Sequence, residues 1–192
     1  MIAAWRSRTF AVAALAVVTA LVGACSAVVT STPAPTFSPE VAACHADDTA
    51  GDPSHVVTIG NGASGAVLLA APVAGDASLI HLDACRWERT PSGVLATDSS
   101  GGTVSASVPS TVSVDRAVTT GMEPTEHVIG GRAAPVVATV QVTLSDGSVK
   151  NGVVSGGYWL AWWAGPAGSA HVTALDVSGT SLSDTPFTAP SR

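Results

Sequence analysis

Few side chains in this sequence have the types and spacings that do chemistry. Five histidines (His45, His55, His81, His127 and His171) are scattered, and no two stand at the spacing of metal ligands. There is no Gly-x-Ser-x-Gly elbow, no His-Glu-x-x-His, no Cys-x-x-Cys, no phosphate-binding glycine loop and no calcium-loop pattern. His127 or His171, with an Asp and a Ser, keeps a hydrolase reading open, because a triad is defined by geometry and not by order. Serine is abundant enough for such combinations to arise by chance. Sequence alone therefore assigns no catalytic residue, no metal ligand and no cofactor. The densest local cluster is His45 with Asp47, Asp48 and Asp52. Its carboxylates are hard ligands of the kind calcium takes, but their spacing matches no calcium loop, so a solvated acidic loop is the plainer reading.

The sharpest candidates for a binding patch are aromatic. Tyr158, Trp159, Trp162 and Trp163 are four of the seven aromatic residues beyond residue 24, and they fall within six positions. Strand alternation puts Tyr158, Leu160 and Trp162 on one face and Trp159, Ala161 and Trp163 on the other. A strand apolar on both faces is usually central and buried, which makes core the first expectation, with Trp162 on the more deeply buried face. An exposed aromatic face would instead suit stacking on sugar rings or a protein partner. Arg132 completes the candidate patch, either as the partner of a ligand carboxylate or in an ion pair with Asp146 or Asp176.

The elements that must position these residues are strands. Residues 136–144 (VVATVQVTL) alternate apolar and polar, and Asp146-Gly147 then favours a tight hairpin. A two-residue loop would set Leu144 opposite Val149 and Val140 opposite Val153. Further strand signals lie at 55–60, 65–71, 78–87, 103–108 and 171–179, with Val112 and Val114 continuing the pattern after Pro109. The Ser/Gly-rich stretch 91–102 and residues 118–132 read as irregular. Seven to nine short strands and no sustained helical period predict an all-β fold, an antiparallel β-sandwich or barrel-like single domain.

The N-terminus gives the address. Arg6 and Arg8 precede an apolar run too short to span a bilayer comfortably, so residues 1–24 read as a helical secretory signal peptide. Val22-Gly23-Ala24-Cys25 resembles the lipobox of bacterial lipoproteins, which implies a diacylglyceryl group on Cys25 and a membrane partner through that N-terminal lipid. Residues 25–40, rich in Pro, Thr and Ser, read as a disordered tether. The folded domain is expected over 41–187, with 188–192 as a tail. Once Cys25 is assigned to lipid, Cys44 and Cys85 form an even pair that reads as a disulfide in an exported chain. Beyond the signal, fourteen acidic residues face six basic ones, a net charge of −8 that argues against a nucleic-acid partner.

Residues 130–165 carry a second resemblance. Gly131-Arg132-x-x-Pro135, Asp146-Gly147 and Gly157-Tyr158-x-x-Ala161-Trp162-Trp163-x-Gly165 form a pattern similar to a module of uncharacterised exported lipoproteins of high-GC Gram-positive bacteria. The resemblance implies an extracytoplasmic β-domain at the outer face of the cytoplasmic membrane and imports no catalytic residue. The expected function is a non-catalytic binding, sensing or assembly module for an envelope protein or glycan. An envelope-associated hydrolase is the alternative.

Overall fold

The computed structural model describes residues 36–46, 51–120, 125–165 and 168–188. The signal segment, Cys25, the tether up to residue 35, Asp47, Asp48 and the tail beyond Thr188 lie outside the described residues. The first described element is a helix, α1 (Pro39–Ala46), not the end of an extended tether. Its start has a local cause. The Ser38 carbonyl accepts the Ala42 N–H at 2.8 Å, Pro39 has no N–H to lose in the first turn, and Glu40 suits the positive end of the helix.

Every further element is a strand, strands make up about 64% of the described residues, and the fold is all-β. Strands β1 (His55–Gly60), β2 (Ser64–Val73), β3 (Asp76–Thr90) and β4 (Gly93–Ser105) form an antiparallel meander in sequence order. Strands β5 (Arg116–Thr119), β6 (Glu126–Arg132), β7 (Thr139–Leu144), β8 (Val149–Ser155), β9 (Tyr158–Ala164), β10 (Ser169–Leu175) and β11 (Ser181–Thr188) form the second sheet. Its order is β11-β10-β7-β8-β9-β6-β5, again antiparallel, and it curls into a half-barrel.

Alternation along each strand sorts the apolar residues into three cores. Ile129, Val140, Val142, Trp159, Ala161, Trp163 and Val172 pack together from across the curled sheet, which places them on its concave side. The opposite face of β6 and β9 presents Val128 and Leu160 to Ala66, Leu68 and Ala84 of the four-stranded sheet, making the sandwich. The outer face of that smaller sheet, with Val67, Leu69 and Trp87, is covered by Val41 and Cys44 of α1. A disulfide joins Cys44 to Cys85 across a separation of 41 residues, and both cysteines are buried. Loop closure of that length contributes about 4 kcal/mol on the chain-entropy account.

Several sequence expectations change. The stretch 91–102 is not a loop but most of β4, whose short side chains hide the alternation and whose pairing is templated by the long β3. The described part of 118–132 holds the end of β5 and all of β6 where irregular chain was expected, and no strand covers Val112 or Val114, although Val112 bridges to Ala133. Gly131 belongs in β6 because the chain at 113–115 crosses so close that a Cβ there would lie 2.1 Å from the Ser113 carbonyl oxygen. The β7–β8 hairpin is shifted by one residue, with Thr143 opposite Val149 and Val140 opposite Gly152. Leu144 N–H bonds to the Ser148 carbonyl, and the Asp146 carboxylate accepts the Ser148 N–H at 2.8 Å, so the loop has three residues.

Candidate functional site

At one end of the sandwich, four segments enclose a partly open cleft of about 360 Å³. The chain leaving β4 supplies residues 106–109, and the end of β6 supplies Arg132, Ala133 and Pro135. The β8–β9 turn supplies Gly156, Gly157 and Tyr158, and His55 at the start of β1 closes the ring. Most of the wall is apolar. Gly156 and Gly157 both have positive φ, the requirement of a two-residue hairpin turn between Ser155 and Tyr158. Gly156 is also needed for space, since a Cβ there would lie 2.8 Å from the His55 ring. His55 packs in turn on Tyr158, with ring centroids 5.1 Å apart.

Arg132 lies directly opposite Tyr158 in the β6–β9 pairing. Asp115 is its partner, not Asp146 or Asp176, which cap their own turns. Nε donates to Asp115 Oδ2 at 2.9 Å and Nη2 to Oδ1 at 3.1 Å, a two-pronged contact. Nη1 donates to the Ser105 and Ser107 carbonyls, both at 2.6 Å, and so holds the 106–109 wall in place. Burial alone would raise the Asp115 carboxyl, but its bonds to Arg132 and Ser113 outweigh this and hold it below the usual range. The same contact raises Arg132. Burial pushes the Tyr158 hydroxyl up, against a smaller pull from Arg132, so it stays protonated. Among the described residues, that hydroxyl has no hydrogen-bond partner.

The candidate patch is therefore divided. Tyr158 and Arg132 meet at the cleft. Trp159 is fully buried in the half-barrel, where its indole N–H donates to the Ser113 carbonyl at 2.9 Å. Trp163 is buried there too, stacked on His127. Trp162 sits half-buried between the sheets, so the more deeply buried face is that of Trp159, contrary to expectation. No family model matches this chain. No curated protein matches it either.

The remaining histidines are held in structural contacts or stand at the surface. His127 Nε2 donates to the Gly165 carbonyl at 3.0 Å, which leaves Nδ1 to accept from the Thr119 hydroxyl at 3.1 Å. Burial depresses this imidazole, the Gly165 contact opposing it more weakly, so His127 is neutral. His171 Nδ1 faces Asp184 at 3.2 Å on the exposed face of β10 and β11, and among the described residues no serine bonds to it. His45 pairs with Asp52 at 3.4 Å, while Asp47 and Asp48 are outside the described residues. His55, Pro109 and the 106–109 wall were not singled out from sequence. The Gly156-Gly157 pair between two strands was the available signal for the turn, but nothing local joins it to His55, a hundred residues earlier.

Proposed function

We propose that the chain is an exported lipoprotein, held by an acylated Cys25 at the outer face of the cytoplasmic membrane, whose β-domain presents the cleft as a non-catalytic binding module. One observation carries the binding role. Arg132, Pro135, Gly157 and Tyr158, all members of the pattern that resembles exported lipoproteins of high-GC Gram-positive bacteria, line the same cleft. Its polar groups are suited to holding a ligand. Arg132 is neutralised by Asp115, and Tyr158 is a protonated donor beside apolar walls. The disulfide supports an oxidising compartment, and Val22-Gly23-Ala24-Cys25 supports the lipid. Among the described residues, no helix is long and apolar enough to cross a membrane. The anchor in this reading is the acyl group on Cys25.

The address is tested by expressing the full chain in a Gram-positive host fed a labelled fatty acid. The mature protein should carry label, sediment with membranes and be cut by protease added to intact protoplasts. Cys25→Ala should lose the label and either accumulate as precursor or leave the membrane. An unlabelled mature protein, or a domain shielded in intact protoplasts, overturns the reading.

A further inference from the structure

We infer that the cleft binds a neutral N-acetylated amino sugar at the exposed end of a glycan. The ligand class rests on the reading of the domain as a binding module and makes it specific. Charge comes first. The one permanent cation in the cleft, Arg132, is matched by Asp115 at 2.9 Å, and the wall contains no carboxylate. Beyond residue 24 the protein carries a net charge of −8, which repels anions further. An acidic ligand would therefore find neither a local cation to pair with nor a favourable field. Size comes second. A partly open space of about 360 Å³ lies at the small end of ligand clefts and holds one or two sugar rings, not a folded partner.

The third observation is the order of polar and apolar groups. The Tyr158 hydroxyl, without a hydrogen-bond partner among the described residues and kept protonated by burial, belongs to a cleft whose wall also includes Ala106, Val108, Pro109 and Pro135. A purely aliphatic ligand would cover that hydroxyl and leave it unpaired, which opposes binding. An acetamido group satisfies both sides, with its carbonyl accepting from Tyr158 and its methyl against the proline and valine wall. The C–H face of the sugar ring meets the remaining apolar surface, and its hydroxyls reach Ser107 and the glycine amides of the turn.

The test is an NMR titration of the purified full chain in detergent, following the Gly156 and Gly157 amides. The probes are N-acetylglucosamine, glucose, glucuronate and a proline-rich peptide. N-acetylglucosamine should give saturable shifts confined to the cleft, with a dissociation constant on the order of 1 mM. Glucose, which lacks the acetamido group, and glucuronate, which adds charge, should each bind about tenfold more weakly. Tyr158→Phe keeps the ring and should weaken the sugar about three- to tenfold. Val108→Asp, at a position 68% exposed and so tolerant of change, should also weaken it. Absence of saturation, tighter binding of glucuronate, or saturation of the same signals by the peptide alone would each overturn the assignment. Acylation of Cys25 is measured separately, so failure here leaves the anchoring reading standing, and failure of anchoring leaves this titration intact.

Discussion

Arg86 of β3 donates through Nε to the Glu126 carboxylate of β6, so a buried ion pair spans the two sheets. Arg86 is 8% exposed and Glu126 5%. Nη1 of Arg86 also donates to Thr97 Oγ1 at 2.7 Å, and the Ser64 hydroxyl lies 3.5 Å from the other Glu126 oxygen. The pair therefore ties β2, β3 and β4 to the half-barrel. Desolvation offsets much of the attraction within such a pair, but removing Glu126 leaves the buried Arg86 with the partly exposed Glu88, at 3.5 Å, as a counter-charge. Glu126→Ala should lower stability by about 3–5 kcal/mol. The double variant Arg86→Met, Glu126→Leu should be far closer to wild type. Urea denaturation of the two proteins measures the difference, and equal losses would show that the pair is not desolvated as described.

Trp159 and Trp162 are three residues apart on β9, yet only Trp159 is fully buried. Trp159→Ala should cost roughly 3–5 kcal/mol, the range for truncating a buried aromatic, and should also release the Ser113 carbonyl. Trp162→Ala should cost about half as much, because part of its surface is already in water. Denaturant midpoints of the two variants give the order directly. A Trp162 variant less stable than the Trp159 variant would contradict the packing.

Legibility in the sequence followed the size of the side chains. HVVTIG and the 136–144 run announced β1 and β7 because large apolar residues there alternate or cluster. The two-sided apolar pattern of β9 likewise announced a strand buried on both faces, which the half-barrel and the smaller sheet together supply. Only the end of β4 was signalled, by the 103–108 run, and the rest was hidden because its Ser and Gly residues bury little and are held by pairing with β3. The hairpin register depended on one residue in a loop, which the Asp146–Ser148 bond decides and composition does not. For the candidate site, Tyr158 and Arg132 stood out as residue types, but their meeting needed the β6–β9 pairing. Asp115 reaches Arg132 only through the non-local crossing beside Gly131.

His127 gives stability a pH dependence of known sign. Its imidazole is buried neutral, with a folded value depressed below the ordinary 6.5 chiefly by burial. A histidine depressed in this way contributes fully above its unfolded value, and the contribution is lost as pH falls below about 6.5, because the unfolded chain takes up the proton first. His127→Gln keeps an uncharged donor and acceptor in the site. Unfolding free energy measured between about pH 7.5 and 5 should fall more steeply for wild type than for the variant. Parallel curves would mean that His127 does not change its proton affinity on folding.

Asp115 carries the opposite kind of group, and its pH window lies in the acid range. Its bonds to Arg132 and Ser113 overcome the effect of burial and place its folded value below the ordinary 3.8. A depressed carboxylate contributes stability that is complete above the unfolded value and disappears as pH falls through the folded one. Asp115→Asn removes the charge while keeping the size. At neutral pH the variant should be less stable by roughly 1.5–3 kcal/mol, the range for hydrogen bonds to a charged group. The gap should begin to close only below about pH 4. The same substitution should loosen the cleft, because Arg132 holds the Ser105 and Ser107 carbonyls from the position Asp115 sets. Amide hydrogen exchange over residues 105–109 should therefore speed up in Asp115→Asn while the centre of β9 stays protected. A stability gap unchanged down to pH 3, or unaltered exchange in that wall, would show that Asp115 does not hold Arg132 in the way that shapes the cleft.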